Sequence, residues 1–346
     1  MSPEDLKALP KVLLHDHLDG GLRPQTVLDL AAADGYLDLP ASGVEDLTDW
    51  FFQGRSASLE RYLDAFTHTV GVMKTAAAIE RVAYETVEDL AADNVVYAET
   101  RMAPSLCLGE GLDRGEAIAA MLEGLRRGEA DFGLPMRLIV DAMRQDSDSV
   151  EVVRAAVAFV GDGVVGFDLA GPELGFPATE HREACDLARQ GGLHLTIHAG
   201  EGDGVQSIVG ALEVGAERLG HGVRLIEDIE LANGEVQTMG PVAQSVLDTG
   251  IVLETCITSN LHTGMYPDAA SHPLGLLQRS GFGVTINTDN RLMSGITPTD
   301  EFALAVDHHG FDLQDLELVT LRAIDGAFCD QATKDQVIER VIVGYS

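Results

Sequence analysis

Eight short apolar, β-branched runs recur along this chain, and amphipathic stretches separate them. Between the runs, apolar residues repeat at helical spacing, as in Ile79, Val82 and Ala83. Strands that alternate with helices are typical of a parallel sheet covered by helices, and eight such units predict a (β/α)8 TIM barrel of the α/β class. The runs that we expect to be strands are residues 12–17, 95–101, 136–142, 164–169, 193–198, 217–221, 250–256 and 282–289.

The length of 346 residues and the lack of a composition break indicate one barrel domain over residues 1–346. A doubly wound open sheet is the alternative, but no Gly-x-Gly-x-x-Gly follows a predicted strand to support it. Residues 36–75 are too long for one return helix, so they form either an extra helix packed on the barrel or a lid over its mouth. We expect the tail after residue 300 to supply the last one or two helices.

The net charge of −33 argues against nucleic acid or an anionic membrane surface as a partner. No apolar run approaches the about 20 residues of a membrane span, and the first residues lack the pattern of a secretory signal. The four cysteines are scattered, which is typical of reduced thiols. We therefore expect a cytoplasmic protein without nucleic-acid or membrane partners; the sequence indicates no oligomeric state.

Polar residues gather where the predicted strands end, and barrels of this type build their active sites at the carboxyl ends of the strands. His15 and His17 end the first strand and point to the same face, because side chains alternate along a strand, whereas Asp16 points the other way. Later strands end in Asp168 to Glu173, His198-Ala199-Gly200-Glu201, Gly220-His221-Gly222 and Thr288-Asp289-Asn290.

These strand ends predict a metal site. The last strand closes against the first, so Asp289 can join His15 and His17, and His198 reaches in from the far side of the barrel. Three nitrogens and one oxygen suit zinc or a similar divalent ion and leave a place for water. His221 is an alternative ligand, although its glycine flanks suit an orienting or basic group better. No lysine stands at a strand end to bridge two metals, so we predict a mononuclear metallohydrolase.

With these motifs in this order, the sequence resembles the adenosine deaminases of the amidohydrolase superfamily along nearly its whole length. The (β/α)8 barrel of that family agrees with the strand count. The segments that carry the resemblance are Leu14-His15-Asp16-His17-Leu18-Asp19-Gly20, Gly166-Phe167-Asp168-Leu169-Ala170-Gly171, His198-Ala199-Gly200-Glu201, Arg218-Leu219-Gly220-His221-Gly222 and Asn287-Thr288-Asp289.

The resemblance implies one zinc ion per chain, held by His15, His17, His198 and Asp289. It also implies that Glu201 protonates N1 of the purine, a task that requires burial to raise the pKa of its carboxyl. His221 would orient and polarise the attacking water. Asp289 would accept a proton from that water in addition to binding the metal.

The resemblance also implies how the substrate binds. The backbone N–H of Gly171 would meet purine N3, and Asp19 would bind a ribose hydroxyl, with His17 as a further substrate contact. Many family members have a second aspartate where this chain has Asn290, whose amide can donate a hydrogen bond to N7. Asp19 has a second interpretation, as a cap for a helix that begins near Pro24.

The expected reaction is hydrolytic deamination of adenosine and 2′-deoxyadenosine to inosine and 2′-deoxyinosine, with release of ammonia. The alternatives are a deaminase of adenine, whose enzymes tend to have glutamate at the position of Asp19, or of an adenosine derivative such as aminofutalosine. An AMP deaminase would need basic residues for the phosphate, and the strand ends offer few beyond Arg101 and Arg291. A catalytically inactive nucleoside-binding barrel would be expected to lack part of the strand-end set.

A few polar residues near the strand ends receive no catalytic role. Arg101 is interpreted as a structural salt-bridge partner. Ser259, Asn260 and His262 follow the seventh predicted strand and are expected to line the mouth of the barrel without an assigned function.

Overall fold

The structure, a computed structural model, describes residues 1–54, 56, 58–109, 111–232 and 234–346. Eight parallel strands follow one another around a single sheet in chain order. The predicted (β/α)8 barrel is therefore confirmed. Its strands are β1 (Lys11–His17), β2 (Val95–Met102), β3 (Met136–Met143), β4 (Val164–Ala170), β5 (His194–Ala199), β6 (Arg218–His221), β7 (Val252–Thr255) and β8 (Gly283–Ile286).

The barrel closes where the chain beyond β8 meets β1. Asp16 and Asp289 form a parallel bridge. The backbone N–H of His17 donates to the carbonyl of Asp289 over 2.8 Å, and the N–H of Asp289 donates to the carbonyl of His15 over 3.0 Å. Residues near the two ends of the sequence thus meet at one seam of the barrel.

Helices cover the outside of the strands. The α-helices are α1 (Pro3–Ala8), α2 (Pro24–Asp34), α3 (Val44–Phe51), α4 (Leu59–Asp64), α5 (Phe66–Gly71), α6 (Ala76–Ala92), α7 (Arg114–Phe132), α8 (Ser149–Val157), α9 (Arg182–Gln190), α10 (Val205–Glu213), α11 (Pro241–Thr249), α12 (Ile257–His262), α13 (Leu274–Arg279), α14 (Arg291–Ser294), α15 (Pro298–His309), α16 (Leu313–Gly326) and α17 (Gln331–Tyr345).

The longest of these helices, α7, begins and ends at positions that its sequence specifies. Asp113 and Glu116 form a reciprocal capping box at its start, and Gly133 adopts a left-handed conformation at its end. Its glycines allow α6 to pack closely, because a Cβ atom on Gly124 would stand 2.3 Å from the carbonyl oxygen of Glu80. These glycines therefore let the two neighbouring helices of the outer layer approach each other closely.

The structure agrees with the sequence interpretation of the segments outside the eight repeats and adds one element. Residues 36–75 contain three helices, α3, α4 and α5, in agreement with the extra helical structure expected between the first two strands. After the rest of α15, the chain beyond residue 300 contains the two helices α16 and α17, in agreement with the expected last one or two helices. An antiparallel hairpin of Ile229–Ala232 and Glu235–Met239 lies between β6 and β7; it was not predicted, because its strands of four and five residues are too short to give a clear pattern.

The core lies inside the sheet and between the sheet and the helices. Every residue of β1 and β2 is buried, as expected of strands covered on both faces. Among the described residues, every helix is too short or too polar to span a membrane.

Candidate active site

Four side chains that the sequence placed at strand ends converge at the carboxyl end of the barrel. One nitrogen from each of three histidines and one oxygen of Asp289 all lie within 4.8 Å of one another; the histidines are His15, His17 and His198. Oδ1 of Asp289 stands 3.4 Å from Nε2 of His15 and 3.3 Å from Nε2 of His17. These four groups can hold one metal ion.

A buried carboxylate stands behind each of the three histidines. The pairs are His15 Nδ1 with Glu254 Oε2 at 2.9 Å, His198 Nδ1 with Asp168 Oδ2 at 2.8 Å, and His17 Nδ1 with Asp141 Oδ2 at 3.6 Å. A carboxylate that faces Nδ1 favours the tautomer with its proton on that nitrogen. The three Nε2 atoms are therefore left as acceptors that point into one space.

The arrangement of these acceptors fits a cation. Nε2 of His17 and Nε2 of His198 lie 3.3 Å apart, and two lone pairs at that distance repel each other. Nε2 of His15 is buried and has no hydrogen-bond partner in the described part of the chain. A divalent ion among the nitrogens would satisfy all three and turn the repulsion into binding energy.

Buried arginines hold the carboxylates behind the histidines. Arg101 donates to Asp168 over 2.7 Å and to Glu254 over 2.8 Å, and Arg218 donates to Glu254 over 2.6 Å. All four side chains are fully enclosed, so each charge is compensated by a partner. The interpretation of Arg101 as a structural ion-pair partner agrees with these contacts.

Glu201 lies on the turn after β5, beside the four converging groups. Its side chain is buried, and Oε1 has no hydrogen-bond partner within the described residues. The carboxylate of Glu173 accepts hydrogen bonds from the backbone N–H of Gly200 and of Glu201, which fixes the turn. Burial raises the pKa of Glu201 well above its usual value, and the negative charges of Asp289 and Glu173 raise it further. A carboxyl group in this state can act as a proton donor near neutral pH.

His221, the last residue of β6, faces Glu201, and its Nε2 stands 3.5 Å from Oε2 of that residue. Burial lowers the pKa of His221 well below its usual value, and the positive charge of a protonated His15 would lower it further. The backbone of His221 is left-handed, with φ of 61°, and that of Asp289 likewise, with φ of 58°. Such φ values are costly for residues other than glycine and occur where a site must aim a side chain.

The carboxylate of Asp289 is also oriented by Ser259, a residue to which the sequence gave no role. Ser259 donates a hydrogen bond of 2.5 Å to Oδ2 of Asp289, which leaves Oδ1 for the histidines. His262 lies further out and packs its ring against Phe52 at 5.4 Å between centroids. Asp16 points away from the converging groups and accepts hydrogen bonds from Thr288 and Arg291.

A cavity of about 320 Å³ opens beside these groups. Helices α4 and α5 supply an apolar wall, and of the described residues that line the cavity none is Lys or Arg. That wall consists of Leu59, Tyr62, Leu63, Phe66 and Val70. The hydroxyl of Tyr62 hydrogen-bonds Oγ of Ser294 over 2.8 Å, which ties α4 to α14. The insertion therefore lines one side of the cavity, while its action as a lid stays a prediction.

The three residues implied as further substrate contacts all line the same cavity: Asp19, Gly171 and Asn290. Asp19 is not a helix cap, because α2 begins after Arg23 and receives no side-chain cap. Burial raises the pKa of Asp19 to about 7. Gly171 has φ of 93°, and a Cβ atom there would come within 2.6 Å of Oε1 of Gln145, so the position requires glycine.

Asp141 and Glu254 contribute to the site but were not predicted as site residues. Each is the only acid in a mainly apolar predicted strand, in the segments 136–142 and 250–256. A carboxylate is rarely buried without a partner, so these two acids were the available signal that the strands face buried cations or imidazoles. Their histidine partners come from other strands, which periodicity along one strand does not reveal.

The fold and the site together define a barrel hydrolase with a group of side chains that can hold a metal ion and a buried carboxyl group beside them. The sequence profile named adenosine deaminase matches residues 10–343. The chain belongs to the adenosine deaminase family.

Proteins of known name agree with this assignment. The chain is 47% identical to an adenosine deaminase from Mycobacterium leprae, over 98% of this chain and 96% of the relative. It is also 47% identical to adenosine deaminase 1 of Streptomyces coelicolor, over 94% of this chain and 84% of the relative.

Solved structures show the same barrel. An adenine deaminase from Arthrobacter aurescens superimposes with a TM-score of 0.87 at 26% identity, over 97% of this chain and 98% of that one. An amidohydrolase from Burkholderia ambifaria with bound zinc superimposes with a TM-score of 0.86 at 27% identity, over 99% and 92%. An arabidopsis N6-mAMP deaminase gives a TM-score of 0.82 at 26% identity, over 98% of this chain and 99% of that one.

Proposed function

We propose that this protein is a zinc-dependent adenosine deaminase that converts adenosine and 2′-deoxyadenosine, with water, to inosine and 2′-deoxyinosine plus ammonia. One observation carries the proposal: a buried acid, Glu201, and a buried imidazole, His221, line the same cavity as three of the four groups that can hold a metal. Membership of the adenosine deaminase family, with relatives of that name at 47% identity, supports the same reaction.

In this proposal His15, His17, His198 and Asp289 hold one zinc ion per chain. When bound, zinc lowers the pKa of a coordinated water towards about 7, which supplies a nucleophile at neutral pH. The carboxylates behind the histidines keep each ring in the tautomer that presents Nε2 to the ion. Support comes from the donor set of three nitrogens and one oxygen and from the zinc bound in the Burkholderia ambifaria amidohydrolase.

Glu201 donates a proton to N1 of the purine, which makes C6 electrophilic, and it can take part again when ammonia leaves. Its burial and its acidic neighbours favour the neutral carboxyl that this role needs. His221, whose Nε2 lies 3.5 Å from Glu201, orients the attacking water, and Asp289 accepts a proton from it. The proton that Glu201 donates to N1 offsets the negative charge that would otherwise develop on the purine during attack at C6, and Glu201 is already in place before the reaction.

The purine lies between the apolar wall of α4 and α5 and the acidic side chains that line the cavity, which are Asp19, Asp141, Glu201 and Asp289. Gly171 offers its backbone N–H to N3, and Asn290 offers its side-chain amide to N7. Asp19, together with His17, binds a hydroxyl of the ribose. Support for these contacts comes from the position of all four residues at the cavity, and the unpartnered Oδ1 of Asp19 leaves an acceptor for the sugar.

The main alternatives are a deaminase of free adenine and a deaminase of nucleotides. The cavity lining carries Asp19, Asp141, Glu201 and Asp289 and, as described, no cationic side chain for a phosphate. This lining favours a neutral nucleoside over a nucleotide. Adenosine deaminases at 47% identity are also much nearer in sequence than the Arthrobacter aurescens adenine deaminase at 26%.

A substrate panel tests the proposal. Purified protein would be given adenosine, 2′-deoxyadenosine, adenine, AMP and N6-methyl-AMP, with ultraviolet loss and ammonia release as readouts and metal analysis on the same sample. We expect rapid turnover of the two nucleosides and about one zinc per chain. Rapid turnover of adenine or AMP with none of adenosine would show that the substrate assignment is wrong.

We further propose a cytoplasmic location without nucleic-acid partners. The four cysteines are unpaired, and Cys107, Cys185 and Cys256 are buried, as expected of a protein kept in a reducing compartment. The net charge of −33 opposes contact with nucleic acid.

A further inference from the structure

A chain of hydrogen bonds leads from His221 out of the active site to the start of helix α13. Nδ1 of His221 lies 3.1 Å from Nδ2 of Asn260, and Oδ1 of Asn260 lies 3.1 Å from Nε2 of His272. Nδ1 of His272 in turn accepts the backbone N–H of Leu274 over 3.2 Å. The three side chains are almost completely buried, so no bulk water competes for these bonds.

We call this chain of hydrogen bonds the relay. At its far end, the hydrogen bond between Leu274 and His272 allows only one assignment of donor and acceptor. Leu274 is the first residue of α13, and its N–H has no acceptor within the helix. A backbone N–H can only donate, so Nδ1 of His272 must accept. Burial lowers the pKa of His272 to about 3, so the ring is neutral at ordinary pH. A neutral imidazole that accepts at Nδ1 carries its proton on Nε2.

This assignment determines the donor and the acceptor of each further hydrogen bond along the relay, up to the active site. The Nε2–H of His272 donates to Oδ1 of Asn260, which turns the amide nitrogen of Asn260 towards His221. That nitrogen donates to Nδ1 of His221, so Nδ1 accepts. The remaining proton of the neutral ring then sits on Nε2, the atom that lies 3.5 Å from Glu201.

We propose that His272 and Asn260 are positioning residues that lock His221 in the Nε2–H tautomer, so that His221 acts as a hydrogen-bond donor to the oxygen that adds to C6. This inference rests on the proposed deamination and assigns residues outside the substrate cavity to it. A donor stabilises negative charge on that oxygen as C6 becomes tetrahedral.

The same tautomer decides between two possible metal sites. Glu201, His221 and Asp289 form a second group of potential ligands within 4.8 Å of one another. A protonated Nε2 cannot bind a metal, so the relay excludes His221 as a ligand and leaves the ion to the other group. A neutral donor also cannot take up the proton that the attacking water loses, which leaves that proton to a carboxylate of the site.

The first test replaces the amide of the relay by a carboxylate. In Asn260→Asp the new oxygen can only accept, so Nδ1 of His221 must carry the proton and Nε2 becomes an acceptor. Loss of a preorganised donor typically costs about 10²–10³ in kcat, and we expect a loss of that size with KM for adenosine nearly unchanged and zinc content intact. His272→Phe, which removes the outer donor, frees the amide to turn and should lower kcat by a smaller factor.

The second test observes the tautomer directly. Protein labelled with ¹⁵N-histidine, with the His221 signals assigned through His221→Gln, should show a protonated Nε2 and an unprotonated Nδ1. Asn260→Asp should reverse this pattern, and His272→Phe should give a mixture. His309→Gln is the matched control, because His309 lies beside His272, with ring centroids 6.0 Å apart, but makes no bond to the relay; it should leave tautomer and kcat unchanged.

The outcomes separate this inference from the proposed function. A wild-type protein that deaminates adenosine but carries the proton of His221 on Nδ1 would overturn the inference alone. Asn260→Asp and His272→Phe proteins with wild-type tautomer and kcat would overturn it as well. An Nε2–H tautomer in a protein that does not turn over adenosine would leave the relay standing and refute the proposed function. Thermal unfolding of each variant confirms that the compared proteins are folded.

Discussion

Glu173 accepts a hydrogen bond of 2.9 Å from the backbone N–H of Glu201, although both residues are buried acids. Its other oxygen accepts the N–H of Gly200 over 2.6 Å. Glu173 therefore does two things to the proposed proton donor. It fixes the turn that aims Glu201 into the cavity, and its charge helps to raise the pKa of Glu201.

The variant Glu173→Gln should weaken both effects. An amide presents only one acceptor oxygen to the two N–H groups, and a hydrogen bond to a charged group is worth about 1.5–3 kcal/mol, so kcat should fall about 10- to 100-fold. Removal of the negative charge lowers the pKa of Glu201, so the loss of activity on the alkaline side should begin at lower pH. The measurement is kcat against pH. Glu183→Gln, an exposed acid on α9, should leave the profile as it is; an unchanged profile for Glu173→Gln would contradict the role.

The variant Glu201→Gln tests proton donation itself. General acid catalysis typically contributes about 10²–10⁴ in rate, and an amide cannot transfer a proton to N1, so we expect kcat to fall by that range. Zinc content should stay unchanged, because Glu201 is not one of the four proposed ligands. Steady-state kinetics and metal analysis on one preparation suffice. Full activity with zinc retained would show that another group protonates the purine.

The variant Asp19→Ala tests recognition of the sugar. If Asp19 binds a ribose hydroxyl, its loss should lower kcat/KM for adenosine about 10- to 100-fold, the range expected for one charged hydrogen bond. Any slow turnover of adenine, which has no sugar, should change much less. Asp38→Ala, an exposed aspartate, is the control. Equal losses on adenosine and adenine would mean that Asp19 acts on the purine or the metal site.

Stability should depend on pH partly through His272. Burial lowers its pKa to about 3 in the folded protein, so between pH 6.5 and 3 the unfolded chain binds a proton at this residue that the folded protein does not. Stability contributed by the neutral ring is thus present above pH 6.5 and is lost as the pH falls, by up to about 1.4 kcal/mol per pH unit.

The expected result is a shallower acid dependence in the His272→Phe variant. The free energy of unfolding, measured with urea at pH 6.5 and pH 5.5, should fall less between these two values than in the wild type. His308→Gln, which alters an exposed histidine, should keep the wild-type slope. Equal slopes for all three proteins would show that His272 is charged or solvated in the fold.

The sequence predicted the barrel well because buried parallel strands leave a local signal. A run such as residues 136–142 is mainly apolar, with Leu138, Ile139 and Val140 at its centre, and a helix pattern follows it. The hairpin at Ile229–Ala232 and Glu235–Met239 left no such signal, since its strands have only four and five residues and most of the residues whose burial is described are exposed or half-buried. The number of helices in 36–75 was also out of reach, because short helices on the surface depend on the core that they cover.

The site was predictable to the extent that its residues follow strands. His15 and His17 differ by two positions, which places them on one face of a strand. The role of Asn260 was not predictable, since it depends on the direction of hydrogen bonds that begin at Leu274. The left-handed backbone at His221 and Asp289 was equally hidden, because only the surrounding barrel makes such a conformation favourable for those residues.

The seam between β1 and the end of β8 can form only late in synthesis, because its two sides come from distant parts of the chain. His15 and His17 leave the ribosome early, but Asp289 emerges only when most of the chain has been made. In the proposed zinc protein, a nascent chain would carry an incomplete set of ligands until the last strand closes the ring and completes the set. The bound ion would then link the beginning of the chain to a segment near its end, and a link across so long a loop would remove more freedom from the unfolded chain than a local one. Loss of the ion should therefore release the first and last strands before the rest of the ring, and amide exchange at His17 and Asp289 would be the earliest sign of it.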